Sequence, residues 1–153
     1  MIVRKNEGKQ VPIGEENWTF YLTGDDTDGR FDIIEGEIGY LNGPPLHTHQ
    51  DQHDTFVVLE GTLTLQVGDD LFELKAGDVA TAPPGTPHTY TNLDKEKKAR
   101  ILNLMTPGHF DKAINDFSKL TPEDIEGEKV MEVAARHKVA IVGPPIPVKL
   151  GLV

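Results

Sequence analysis

The sequence predicts an all-β barrel or sandwich followed by a helical extension. Between residues 18 and 106, short runs of β-branched and aromatic residues alternate with Gly, Asp and Pro turn clusters. After Pro107 the hydrophobic spacing becomes helical. The length of 153 residues fits one domain and allows roughly 68–70% of the unfolded surface to be buried. We read residues 1–153 as a single domain, with a barrel core at about 18–106 and an extension at 107–153.

The elements follow in order. Residues 18–22, Trp-Thr-Phe-Tyr-Leu, form a strand that ends at the turn cluster 24–29. Residues 31–38 form the next, and Asn42-Gly43-Pro44-Pro45 interrupts the pattern before His47. Residues 55–59, 62–67, 71–74 and 79–82 are short strands separated by Glu60-Gly61, Gly68-Asp69-Asp70 and Lys75-Ala76-Gly77-Asp78. Residues 90–91 and 99–105 complete the series. Beyond Pro107, an apolar helical face recurs at Phe110, Ala113, Ile114, Phe117 and Leu120. Thr121-Pro122 reads as a helix cap and first turn, and residues 128–138 as a second helix burying Val130, Val133 and Ala134. Gly143-Pro144-Pro145-Ile146-Pro147 should stop helix formation and leave an extended tail.

Bulk properties exclude several functions. A formal charge of -10 opposes nucleic-acid binding, which needs a concentrated positive field. The absence of cysteine rules out zinc–thiolate sites and gives no sign of an oxidising compartment. No apolar run reaches membrane-spanning length, and residues 1–7 lack the apolar stretch of a secretory leader. The expectation is a cytoplasmic protein with no membrane partner.

Four of the six histidines lie in or beside two segments. His47-Thr48-His49 places two imidazoles on one face of a strand, where they can chelate one ion. Residues 77–92 read G-x5-P-x-G-x2-H-x3-N and deliver His88, with Tyr90 and Asn92 on its face. This pattern arises by chance at well under about one in 10⁶ start positions. Gly85 supplies a turn conformation closed to other residues. On the strand after His49, Asp54, Phe56 and Val58 share one face, and His53, Thr55 and Val57 share the other. An inward Asp54 completes a three-His, one-carboxylate set, or hydrogen-bonds a ligating histidine instead. His53 is the alternative, reaching the site only if the strand begins after it or bulges there.

These segments resemble the two motifs of the cupin superfamily, G-x5-H-x-H-x3-4-E-x6-G and G-x5-P-x-G-x2-H-x3-N. The second is complete. In the first, His47, His49 and Gly61 match, Asp54 stands where the family usually has Glu, and Leu41 occupies the place of the opening glycine, with Gly39 and Gly43 nearby. The motifs cover about a third of the chain. The stretches Thr23-Gly24-Asp25-Asp26-Thr27, Gly43-Pro44-Pro45-Leu46-His47-Thr48-His49 and Thr106-Pro107-Gly108-His109-Phe110 are similar to single-domain quercetin 2,3-dioxygenase-like cupins.

The resemblance implies a jelly-roll cupin barrel (a double-stranded β-helix) with two short C-terminal helices. It also implies one divalent transition metal per chain (Fe, Mn, Ni, Co, Cu or Zn) held by His47, His49, His88 and Asp54. The function implied is a metal-dependent dioxygenase acting with dioxygen on a small oxygenated molecule such as a flavonol or enol. Asp54 would take the Glu role of ligand and base, unless its shorter side chain stops outside the metal's reach. Phe56, Tyr90 and Phe110 would form apolar walls. A non-redox isomerase, lyase or hydrolase, using Asp54 or Tyr90 for proton transfer, fits the same residues, as does a small-molecule binding or sensing protein. Apolar residues at 141–142 and 146–153 predict a homodimer.

Overall fold

The computed structural model describes residues 1–14 and 16–153. Eleven strands are defined among them: β1 Lys9–Ile13, β2 Glu16–Leu22, β3 Asp32–Ile38, β4 Leu46–His49, β5 His53–Glu60, β6 Thr62–Val67, β7 Asp70–Lys75, β8 Val79–Ala82, β9 His88–Thr91, β10 Ala99–Thr106 and β11 Val139–Gly143. They form a six-stranded sheet, β1-β2-β3-β10-β5-β8, and a five-stranded sheet, β11-β4-β9-β6-β7. Phe20, Ile34, Phe56 and Ile101 of the first sheet meet Leu63, Leu65 and Tyr90 of the second in one buried cluster. Strict alternation produces this core. In β3, β5 and β10 every second residue is buried, the period-2 pattern of half-buried strands.

This is the two-sheet β architecture that the strand spacing predicts, in the jelly-roll form that the resemblance implies, and its boundaries fall within a few residues of those expected. β1 was not foreseen. Its five residues carry Pro12 and are mostly exposed, as suits a sheet edge, so they lack a strong alternating signal. The extension contains four short helical segments rather than two: α1 Phe110–Phe117, α2 Pro122–Glu126, α3 Lys129–Arg136 and α4 Ile146–Lys149. Thr121 caps α2 through a reciprocal pair with Asp124, as the Thr-Pro start implies.

The expectation of a helix-free tail fails at α4. Pro147 stands in its first turn, where a missing N–H removes no intrahelical bond. Residues before it are extended as expected, since β11 pairs with β4 and sets Ile141 opposite His47 and Val139 opposite His49. Among the described residues, no helix is long and apolar enough to cross a membrane.

A buried carboxylate fastens the extension to the barrel. Asp32, at the start of β3, accepts the backbone N–H of His109 at 2.9 Å and that of Phe110 at 2.6 Å. These are donors that the first turn of α1 cannot satisfy internally. Asp32→Ala should destabilise the protein by about 2–4 kcal/mol, because two enclosed N–H groups lose a charged acceptor. Urea unfolding would read this, and a change below about 0.5 kcal/mol would show that the anchor carries no weight.

Candidate metal centre

His47 and His49 sit on β4 with both side chains buried, and Thr48 between them faces away. The β4–β9 register sets His47 directly opposite His88. The Gly85 N–H donates to the His49 carbonyl at 2.7 Å, tying the Pro83-Pro84-Gly85 turn to β4. Gly85 has φ 76°, the left-handed conformation that the motif's glycine was expected to supply. Asn92, the last residue of the motif, donates to the Ile38 and Lys97 carbonyls and accepts from the Asp94 N–H, so its role is to pin loops. Three imidazoles thus come from the five-stranded sheet, and Asp54 on β5 faces them from the six-stranded sheet.

One ligand atom from each of His47, His49, Asp54 and His88 lies within 4.8 Å of all the others, and all four residues are buried. The imidazole centroids are 4.6 to 5.4 Å apart. Asp54 Oδ2 is 3.1 Å from His88 Nε2 and 3.5 Å from His49 Nε2. Ligands at about 2.0–2.2 Å from a shared ion lie roughly 3.0–3.5 Å from one another, so these spacings fit a common centre. The shorter reach of Asp, compared with Glu, is therefore no obstacle. His53 is exposed on the opposite face of β5 and lies outside the cluster, as strand parity indicates.

The hydrogen bonds prepare the imidazoles as ligands. His47 Nδ1–H donates to the Pro45 carbonyl and His88 Nδ1–H to the Thr86 carbonyl, each at 2.8 Å. A carbonyl only accepts, so both Nδ1 atoms carry protons and both Nε2 atoms are left to the cluster. His49 is more telling. Both of its ring nitrogens are buried with no hydrogen-bond partner among the described residues. Such a group costs about 1–3 kcal/mol unless something completes it. A divalent transition metal would supply a partner for Nε2, the nitrogen beside Asp54, and the donor set of three imidazoles and one carboxylate suits it.

Asn103, on β10, was not singled out in the sequence. Its amide Nδ2 donates to Asp54 Oδ1 and, at 3.2 Å, to the Thr55 carbonyl, which turns Oδ2 towards the histidines. A signal existed: Asn103 falls in register with the inward residues Ala99, Ile101 and Met105. A lone amide on an apolar strand face needs a partner.

Electrostatics match the geometry. Burial, together with the His88 and His49 imidazoles, pushes His47 down to about 4. Burial alone would raise Asp54, but the imidazoles of His49 and His88 beside it outweigh that and hold it below the usual carboxylate range. Burial disfavours a charged His88, yet the Asp54 carboxylate prevails and raises it.

A group with a depressed folded pKa stabilises the native state above its unfolded value and loses that contribution as pH falls. For His47 the window runs from about 6.5 down to about 4. The metal-free protein should therefore lose on the order of 3 kcal/mol relative to His47→Asn across that window, at about 1.4 kcal/mol per pH unit. Urea midpoints of both proteins in chelator check this, and a flat difference curve would contradict it.

The cluster opens into a cavity of about 610 Å³ with walls from Trp18, Ile34, Phe56 and Tyr90 and a cover from Phe110, Ile114, Phe117, Leu120 and Val130. That volume suits a small organic ligand. Phe110 stacks edge-on against His49 at 5.3 Å, and Phe56 touches both His88 and Tyr90. Tyr90 is a wall as expected, and burial raises its hydroxyl well above its ordinary value, so it stays protonated.

The family model of the cupin domain matches residues 39–105, the stretch that carries all four cluster residues. Residues 39–105 are therefore similar to a cupin domain. The chain is 29% identical over 143 residues to quercetin 2,3-dioxygenase of Bacillus subtilis, a match that spans 88% of this chain and 42% of that protein. The chain thus covers about two fifths of the relative's length. Among solved structures, KdgF from a Halomonas species superposes with a TM-score of 0.64 at 15% identity, over 73% of this chain and 97% of that one. A cupin sugar phosphate isomerase of Silicibacter pomeroyi gives 0.59 at 18% identity, over 69% and 75%. At these identities the structural matches establish the shared fold.

Proposed function

We propose that this chain is a cupin and a metal-dependent oxidoreductase of dioxygenase type, acting with dioxygen on a small oxygenated molecule such as a flavonol or enol. The observation that carries the reading is a buried three-His, one-carboxylate cluster at the base of an apolar cavity. Likeness to a quercetin dioxygenase across most of the chain supports it. His47, His49, His88 and Asp54 would hold one divalent transition metal, which acts as a Lewis acid and template for substrate and dioxygen. Asp54, ionised and aimed by Asn103, would accept the acidic proton of the substrate enol. Phe56 and Tyr90 would orient a planar ring, while the α1 cover excludes water.

Oxygen uptake by protein loaded with each of several metals, across flavonols and enols, tests this. Consumption of dioxygen with at least one pair is expected, and no uptake with any pair refutes it. Turnover that persists without oxygen would place the chemistry with the isomerases and lyases instead. We further propose that residues 1–153 act as one domain, and that the exposed Val142, Val148, Leu150 and Leu152 face a second copy in a homodimer. Light scattering at micromolar concentration should give twice the chain mass, and a monomer would refute it.

A further inference from the structure

The cavity has a second polar pole. Glu16 begins β2 and shares the inward face of that strand with Trp18 and Phe20. It lines the same cavity as the histidine cluster. Its Oε2 accepts the Trp18 indole N–H at 3.3 Å, whereas Oε1 is fully enclosed and has no hydrogen-bond partner among the described residues. Burial raises the pKa of the carboxyl group and outweighs the Trp18 indole, the Gly39 backbone, the Asn42 amide and Lys98, which lower it. Neither Gly39 nor Asn42 makes a hydrogen bond to Oε1. A carboxylate kept in an apolar cavity with an idle oxygen is costly unless a ligand uses it.

Glu16 is linked to the cluster by a run of rings. Trp18 meets Tyr90 at 6.5 Å, Tyr90 meets Phe56 at 5.5 Å, and Phe56 meets His88 at 6.2 Å. Trp18 is held in place against Gly36, where a Cβ would come within 2.8 Å of the indole. The two poles are therefore separated by an aromatic wall, and a flat ligand lying on that wall presents its far end to Glu16.

We infer that Glu16 is a specificity-determining residue whose Oε1 accepts a hydrogen bond from a hydroxyl at the end of the substrate remote from the histidine cluster. The substrate class is thereby narrowed to planar molecules bearing a donor at both ends, the enol at the cluster and a phenolic or alcoholic hydroxyl at Glu16. This rests on the reading that the cavity is the substrate site. An enclosed carboxylate oxygen favours a matching donor and rejects an analogue that lacks it.

The fluorescence of Trp18, the chain's sole tryptophan, reports binding beside Glu16. The probes are 2-naphthol and 2-methoxynaphthalene, which differ by the donor proton, titrated into the protein as purified. Wild type should bind 2-naphthol roughly tenfold to a hundredfold more tightly than its ether. Glu16→Leu should erase that preference while leaving ether affinity within about threefold. Glu16→Gln, which keeps the shape and one acceptor but loses the charge, should fall between them and serves alone if the Leu variant does not fold. No preference in wild type, no binding of either probe, or a preference that survives both substitutions would overturn the assignment. Absence of oxygen uptake with flavonols would remove the dioxygenase reading and leave this result standing.

Discussion

His49→Leu should abolish tight metal binding while leaving the metal-free protein at least as stable as metal-free wild type. The two effects have one cause. Both imidazole nitrogens of His49 are buried without hydrogen bonds, so the metal-free fold carries a polar group that nothing inside the protein satisfies. Leucine removes that cost, and it fills comparable apolar space beside Phe110. Deleting a direct ligand should weaken the metal by at least about 100-fold, the upper range seen when only supporting groups are removed. At a metal concentration 100 times the wild-type Kd, wild type gains about 2.7 kcal/mol from binding and the variant about 0.4 kcal/mol. Thermal unfolding with and without metal reads both terms. A variant that keeps the full metal-induced shift would remove His49 from the centre.

Asp54→Asn should have the largest effect on chemistry. Asp54 Oδ1 is engaged by Asn103, and Oδ2 faces His88 and His49. An amide keeps one acceptor oxygen for Asn103 but carries no charge, so His88 loses its anionic partner. His88, now held above its ordinary value by Asp54, should titrate below its ordinary value once burial is opposed only by the weaker Thr86 hydrogen bond. Proton-detected nitrogen spectra of the imidazoles, recorded on metal-free protein, follow that change. Turnover with any substrate the wild type accepts should fall by about 100-fold or more, the scale of losing a positioned proton acceptor. An unchanged His88 titration with full turnover would show that Asp54 is a spectator.

The histidine positions were legible because strand parity is a hard constraint. Two histidines two residues apart share a face, and Asp54 and His53 cannot. The same parity placed Phe56 inward. What parity alone cannot show is the partner across a sheet. Asn103 reaches Asp54 over 49 residues of chain, through the β5–β10 register, and no local pattern encodes that pairing. Asp32 likewise acts at a distance, capturing the start of α1 from the first residue of β3. Glu16 was hidden for another reason. It opens its strand beside polar neighbours, and only the closed barrel reveals that it shares a cavity with the histidines. In the tail, the proline-rich signal correctly stops a long helix and says nothing against one turn with proline in its first positions.

His47, His49, His88 and Asp54 are proposed together to hold a single transition metal. An anomalous difference map, recorded at the absorption edge of whichever metal co-purifies, tests it most directly. It should show one peak per chain at about 2.0–2.2 Å from the Nε2 atoms of the three histidines and from an Asp54 oxygen. A map with no peak among these four residues, or with its peak elsewhere in the chain, would contradict the claim.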